Sequence, residues 1–405
     1  MNNESSGIKR RRFLKILGAA GVGGMVSTLI KPGNAGAAPM NVSTRPFGRT
    51  GIQVPILSLG TMFDTGANQL LLRQAVKWGV TYWDTAQYYN RWGSEPGIGK
   101  YLAKFPQDRK KIFLVSKSTR RDPAGLTAEL EDSLNNLKTD YLDLFFIHAV
   151  GDAKSEMTPE IRSWGEKMKS KGKIRLFGFS THSNMARCLS HAATLGWVDG
   201  IMTTYNYKVM VKDDMKRAID ACHKAGIGLT AMKTQASSSW VNTGSQSPEG
   251  QALAQRFMDK GVTKEQASLL AVWTDERIAA ICSQMNTMTI LKANTEAAVN
   301  QSGLTASDRR YFDAEARATE AHYCAGCTRT CQAALPTDVP VGRIMRCLMY
   351  SRSYGDHFHA QVEFQDIPES VRARLATFDY SAAERQCPHG MPISRLMTEA
   401  AELLS

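Results

Sequence analysis

Two textures alternate along the chain from about Ile56 to Ser302. Short runs of apolar, β-branched and aromatic residues are separated by stretches in which apolar residues return every three or four positions. The runs predict eight strands: Ile56–Met62, Thr81–Ala86, Ile112–Lys117, Leu142–His148, Ile174–Ser180, Gly200–Tyr205, Gly228–Lys233 and Ala279–Gln284. Their near-continuous apolar character suits strands covered on both faces. The clearest helix signal is Asp122-Pro123 followed by Leu126, Leu130, Leu134 and Leu137. Asp122 can cap, Pro123 suits the first helical position, and the four leucines share one face. Eight such units in about 245 residues predict an α/β fold, a closed (β/α)8 barrel. A doubly wound open sheet needs the same right-handed crossovers. The lack of a Gly-rich dinucleotide fingerprint after the first strand weighs against it.

Length and charge extend the picture at both ends. The chain has 405 residues, is 43% apolar and 22% charged, and carries a formal charge of +12. Arg10-Arg11-Arg12-Phe13-Leu14-Lys15 precedes a Gly- and Ala-rich apolar stretch and then Ala35-Gly36-Ala37. The order is that of an export signal of the twin-arginine type. A basic tail or a single anchor is the plainer alternative. Residues 1–37 are therefore expected to engage the twin-arginine export machinery and deliver a folded protein to the periplasm. Cleavage after Ala37 removes six basic residues and one acidic residue, taking +12 to +7. That leaves little argument for a nucleic-acid partner, and no nucleic-acid-binding signature is present. No later segment has the run of about 20 apolar residues that a membrane span needs, so the cleaved chain is not expected to be an integral membrane protein.

Barrel chemistry sits at the C-terminal ends of strands. Three predicted strands end on or beside an ionisable group: Asp84, Lys117 and His148, with Tyr88 and Tyr89 just after Asp84. This set suits proton transfer to a carbonyl oxygen. A tyrosine can give the proton, although its ordinary pKa is about 10. A lysine beside it favours the phenolate, an aspartate holds the lysine, and a histidine can orient the substrate oxygen.

In these residues the sequence resembles the aldo-keto reductases, over roughly residues 44–302. Phe47-Gly48-Arg49-Thr50-Gly51 and Leu59-Gly60-Thr61 look like the family's opening hairpin and first strand. Asp84-Thr85-Ala86-Gln87-Tyr88-Tyr89, then Gly93-Ser94-Glu95 and Gly99, look like its signature. The resemblance implies a catalytic set of Asp84, Tyr89, Lys117 and His148, with Tyr89 chosen over Tyr88 by its spacing from Asp84. It implies interconversion of a small-molecule carbonyl and an alcohol with NADP or NAD. The implied cofactor contacts are Ser180, Asn206, Met232, Lys233, Ser283 and Asn294. The match departs from the family where cations usually hold the 2′-phosphate of NADPH. Aligning on Asn294 puts Gln284 and Ile290 there, and neither can neutralise phosphate.

About 100 residues follow the barrel, expected as a mostly helical, cysteine-bearing extension over 303–405. Cys324, Cys327 and Cys331 cluster there, and Cys387-Pro388 lies downstream. Three thiols so close, joined by a distant Cys-Pro, resemble the ligation of a ferredoxin-like [4Fe–4S] cluster. Disulfides, a four-thiolate zinc site and plain thiols remain open. So does replacement of Cys387 by Cys347, His322 or His389. A subset of aldo-keto reductases has a similar layout, and that likeness implies one cluster held by Cys324, Cys327, Cys331 and Cys387. Cys188, Cys222 and Cys282 are expected to pack as small apolar residues. A polar segment, Ser237–Gly250 with Trp240, follows the seventh strand as a functional or plain surface loop. Two readings follow. One is an exported reductase bearing a cluster, which could serve an electron-transfer partner protein. The other is an electron-transfer or binding protein with little nicotinamide turnover.

Overall fold

In the computed structural model of the chain, residues 40–91, 93–235, 248–301, 304–336 and 339–405 are described. The expected export segment 1–37, residues 237–247 of the polar loop with Trp240, and the expected boundary at 302 and 303 lie outside them.

A hairpin opens the described chain, β1 (Thr44–Pro46) against β2 (Gln53–Pro55). Eight parallel strands follow: β3 (Leu57–Gly60), β4 (Tyr82–Asp84), β5 (Phe113–Ser118), β6 (Leu142–Ile147), β7 (Ile174–Thr181), β8 (Gly200–Thr204), β9 (Gly228–Met232) and β10 (Ala280–Gln284). They close into a barrel in chain order, with β10 pairing back onto β3. Each lies within one of the predicted apolar runs or overshoots it by one residue. Their burial on both faces is the physical reason those runs are continuous rather than alternating. The helix Pro123–Leu137 is capped by Asp122, whose carboxylate accepts from the Gly125 amide. Leu126, Leu130, Leu134 and Leu137 are buried.

The hairpin plugs the N-terminal end of the barrel. Phe47 is fully buried beside Phe113, the first residue of β5, with ring centroids 5.6 Å apart. Gly48 adopts φ +56, and a Cβ there would stand 2.3 Å from the Gly226 carbonyl oxygen. Only glycine lets the hairpin approach this closely. Phe47 joins Tyr82, Leu144, Phe146 and Met202 in the barrel interior. The other end of the barrel is left for chemistry.

Beyond the barrel the chain is helical, chiefly Ala306–Ala318, Val341–Tyr354, His357–Gln365 and Ile393–Leu404. Pro39–Ser405 forms one compact unit. One hydrophobic core runs from barrel residues such as Trp83 and Phe177 to tail residues such as Leu348 and Leu396. The helix Val341–Tyr354 has two working faces. Val341, Ile344, Met345 and Leu348 point into the core at helical spacing. Arg343, Arg346, Tyr350 and Ser353 line a cavity over the barrel mouth. Among the described residues no helix is long and apolar enough to cross a membrane.

Candidate active site

Parallel register brings the strand-end residues together. Gly60 of β3 pairs with Asp84 of β4, Asp84 with Val115 of β5, and Lys117 of β5 with Phe146 of β6, one residue short of Ile147 and then His148. Lys117 Nζ donates to Asp84 Oδ2 at 2.7 Å, to the Thr85 carbonyl at 2.8 Å, and to Tyr89 Oη at 3.3 Å. The Lys117 and Asp84 side chains are only 1% and 3% exposed. Tyr89 meets the lysine, whereas Tyr88 stacks on His148 with ring centroids 5.2 Å apart and its Oη 3.4 Å from Nε2. Ser94 supports the set from behind, donating to the Thr61 carbonyl, while Ser116 donates to the buried Glu95.

The electrostatics follow from burial. Burial raises the Asp84 pKa, and Lys117 offsets this only in part. Burial, then the Asp84 charge, raises Tyr89 well above 10, so its hydroxyl stays protonated at neutral pH. The lowering by Lys117 expected from the sequence is thus outweighed by burial and Asp84. Burial, followed by the charge of Lys117, holds His148 well below 6.5 and neutral. His182, just past β7, is held low by burial and then by Arg346. Arg346 Nη1 donates to His182 Nδ1 at 3.2 Å, which leaves the ring proton on Nε2.

Tyr89, His148 and Asp84 open onto a cavity of about 1280 Å³. It exceeds the roughly 300–1,000 Å³ usual for a small-molecule site and has room for a dinucleotide beside a substrate. Met232, Lys233, Ser283 and Asn294 line it. Ser283 donates to Gln235 Oε1 at 2.7 Å, and Asn294 Nδ2 donates to Ser283 at 3.0 Å. Ser180 and Asn206 stand just behind the lining, each bonded to a residue that forms it, Ala149 and Lys233. Ser180 Oγ accepts from the Ala149 amide, and Asn206 bonds the Lys208 and Val209 amides, the Lys233 carbonyl and Tyr323 Oη. Gln284 donates to the Met62 carbonyl, and it and Ile290 line the cavity without a charge. Cys282 packs against the barrel-interior cluster, as expected, and also lines the cavity beside Asp84. Cys188 and Cys222 are buried.

Several cavity residues were not singled out from sequence. His182 carried a usable signal, an ionisable group beyond an apolar strand, as at His148. Gln235 and Lys264 carried none.

The tail cysteines form a second grouping. Cys324, Cys327, Cys331 and Cys387 are free and lie within electrostatic reach of one another. Burial and the neighbouring thiols push Cys324 up to about 12 and Cys331 up to about 11. The Cys331-bearing turn packs against the helix Ser381–Gln386, which ends at Cys387. Cys347 is buried in the helix Val341–Tyr354, and His389 pairs instead with Glu320 at 3.0 Å. Among the described residues no three His, Cys, Asp or Glu side chains converge at the spacing of a single metal ion. The cysteine loop also touches the barrel mouth. Gly326 has φ +74, and a Cβ there would lie 2.4 Å from the His182 carbonyl oxygen.

Residues 57–293 match the pattern of the "Aldo/keto reductase family". The chain is 39% identical over 111 residues to methylglyoxal reductase YeaE of Escherichia coli, covering 27% of this chain and 37% of that one. Matched stretches cover 37–64% of the length of the first curated relatives. Among solved structures, the thermostable aldo-keto reductase Tm1743 is 26% identical with a TM-score of 0.56, covering 67% of this chain and 99% of that one. An aldo-keto reductase from Klebsiella pneumoniae in complex with NADPH is 23% identical, TM-score 0.55, covering 68% and 95%.

Proposed function

The chain belongs to the Aldo/keto reductase family, and from that premise we propose that it is an oxidoreductase interconverting a small carbonyl compound and an alcohol with a nicotinamide nucleotide. The observation that carries this reading is Lys117 Nζ bridging Asp84 and Tyr89 Oη beside a large cavity. The Ser283–Gln235–Asn294 network and the size of the cavity fit a dinucleotide. The NADPH in the Klebsiella relative supports the same choice. The uncharged positions 284 and 290 leave NADP and NAD both in play.

When bound, the nucleotide supplies or accepts a hydride at the carbonyl carbon. Tyr89, protonated because burial and Asp84 raise its pKa, gives its proton to the carbonyl oxygen. In the reverse direction it takes the proton from the alcohol. Lys117 holds the phenolate until a solvent proton restores it, and Asp84 keeps Lys117 in place. Neutral His148 donates to the substrate oxygen and fixes its orientation. Tyr89→Phe should lower kcat/KM for carbonyl reduction about 10²- to 10⁴-fold, the usual range for a general acid. Nucleotide binding, measured by fluorescence quenching, should survive. Unchanged turnover would overturn the assignment. An electron-transfer or binding role on the same barrel would instead show no nucleotide binding in the unmodified protein.

The tail is proposed to hold one [4Fe–4S] cluster on Cys324, Cys327, Cys331 and Cys387. Four free thiols within electrostatic reach of one another support this donor set. Such a cluster supplies one-electron transfer or a covalent staple. Anaerobic purification should yield a brown protein with roughly four iron and four sulfide per chain, as this cluster type requires. A colourless, iron-free protein would overturn it. Export to the periplasm by the twin-arginine route is proposed from residues 1–37. A cluster inserted before translocation suits a pathway for folded cargo.

A further inference from the structure

The wall that the tail adds to the cavity is charged unevenly. Arg343 is neutralised there by Asp366 at 3.1 Å and Glu363 at 3.7 Å. Arg346, one turn further along the helix, has no carboxylate within ion-pair distance among the described residues. Its contact is the neutral His182. Lys233 faces it from the end of β9 and donates to the Tyr350 hydroxyl at 3.3 Å, with Nζ 5.1 Å from that ring's centroid. It too lacks a carboxylate partner among the described residues. Both cations line the cavity that holds Tyr89 and His148, and both depress the pKa of His148 and of His182. Two cations with no carboxylate at ion-pair distance among the described residues thus line the cavity that holds Tyr89 and His148.

We propose that Arg346 and Lys233, with the Nε2 proton of His182, bind a carboxylate on the substrate, so that the natural substrate class is an oxo acid or its hydroxy acid. The assignment rests on the oxidoreductase reading above. A guanidinium fork matches a planar carboxylate in two parallel hydrogen bonds, and a lysine adds a mobile point charge. Glu363 and Asp356 line the same cavity. A dianionic phosphate would meet more repulsion from them than a monoanionic carboxylate. Lys233 is thereby drawn to the substrate side, where its Tyr350 contact already holds it, rather than to the nucleotide.

The test uses the full chain, purified anaerobically. A series of aldehyde carboxylates of graded chain length is compared with the matching primary amides. Each is measured twice, by nucleotide oxidation and by equilibrium binding calorimetry. At the best chain length the acid should bind more tightly than its amide by roughly 10- to 100-fold, the range for charge-assisted hydrogen bonds. Arg346→Gln and Lys233→Gln should each erase most of that preference, chiefly through KM, and Arg346→Lys should restore part of it. Equal binding of acid and amide at every length, or tighter binding of glyceraldehyde 3-phosphate than of the best acid, would overturn the proposal. So would a preference that survives both Gln variants. Acid-selective binding without turnover would sustain the carboxylate site and sink the reductase reading alone.

Discussion

At the scale of single residues, the site is dominated by desolvation. Lys117 and Asp84 form a tight buried pair, yet the Asp84 pKa is still raised, because burial costs more than the lysine returns. Such a pair is better understood as positioning than as stabilising. The two histidines make this measurable. His148 and His182 stay neutral in the fold, but in the unfolded chain each takes up a proton near pH 6.5. The unfolded state therefore binds more protons below that pH. Their stabilising contribution is complete above about 6.5 and is lost as pH falls toward the depressed folded-state values. His148 alone should cost about 1.4 kcal/mol per pH unit in that window. His182, partly open to the cavity, should cost less. Denaturant unfolding at pH 7, 6 and 5 should show this slope, and His148→Gln should flatten it. A wild-type stability that does not fall between pH 6.5 and 5 would contradict the neutral-histidine assignment.

At the scale of elements, the barrel was legible and the lid was not. The eight strands stood out because parallel strands buried on both faces need unbroken apolar runs, and Phe145-Phe146-Ile147 is such a run. The helix Pro123–Leu137 stood out because its cap and its leucine stripe are local. Asp84, Lys117 and His148 were legible because a strand end is a position on the chain before it is a position in space. The cavity wall has no such local signature. Arg346 reaches His182 across 164 residues, and Lys233 reaches Tyr350 across 117. Nothing within either segment specifies that meeting. The helix Val341–Tyr354 displays an apolar face at 341, 344, 345 and 348, which sequence could have found. Its second face, at 343, 346, 350 and 353, becomes meaningful only once the first is docked. Cys282 combines both cases. Its packing in an apolar strand is local and legible, whereas its place beside Asp84 arises only when β10 closes onto β3.

At the scale of the whole molecule, the question is whether barrel and tail stand or fall together. The extension is helical, as its sequence predicts, and the hydrophobic core passes between it and the barrel without a break. Tyr323 of the tail bonds Asn206 at 2.9 Å, and Phe312 packs on Tyr207 with centroids 5.1 Å apart. Gly326 presses on the backbone of His182. A tail fixed at so many points can keep Arg346 in the cavity that Tyr89 lines only if it does not melt independently. The tryptophans make this testable, since all seven lie between positions 78 and 273 and none falls in the tail sequence 303–405, so the tail contributes no tryptophan signal of its own. Leu396 is fully buried in the last helix, at the far end of the tail. Leu396→Ala should cost about 2–5 kcal/mol, as buried Leu→Ala changes do. If barrel and tail unfold as one, the tryptophan transition should move to lower denaturant by the same amount as the far-UV dichroism transition. A tryptophan transition left in place while the dichroism shows an earlier step would mean that the tail unfolds alone. The substrate wall would then be a hinged lid rather than a fixed part of the site.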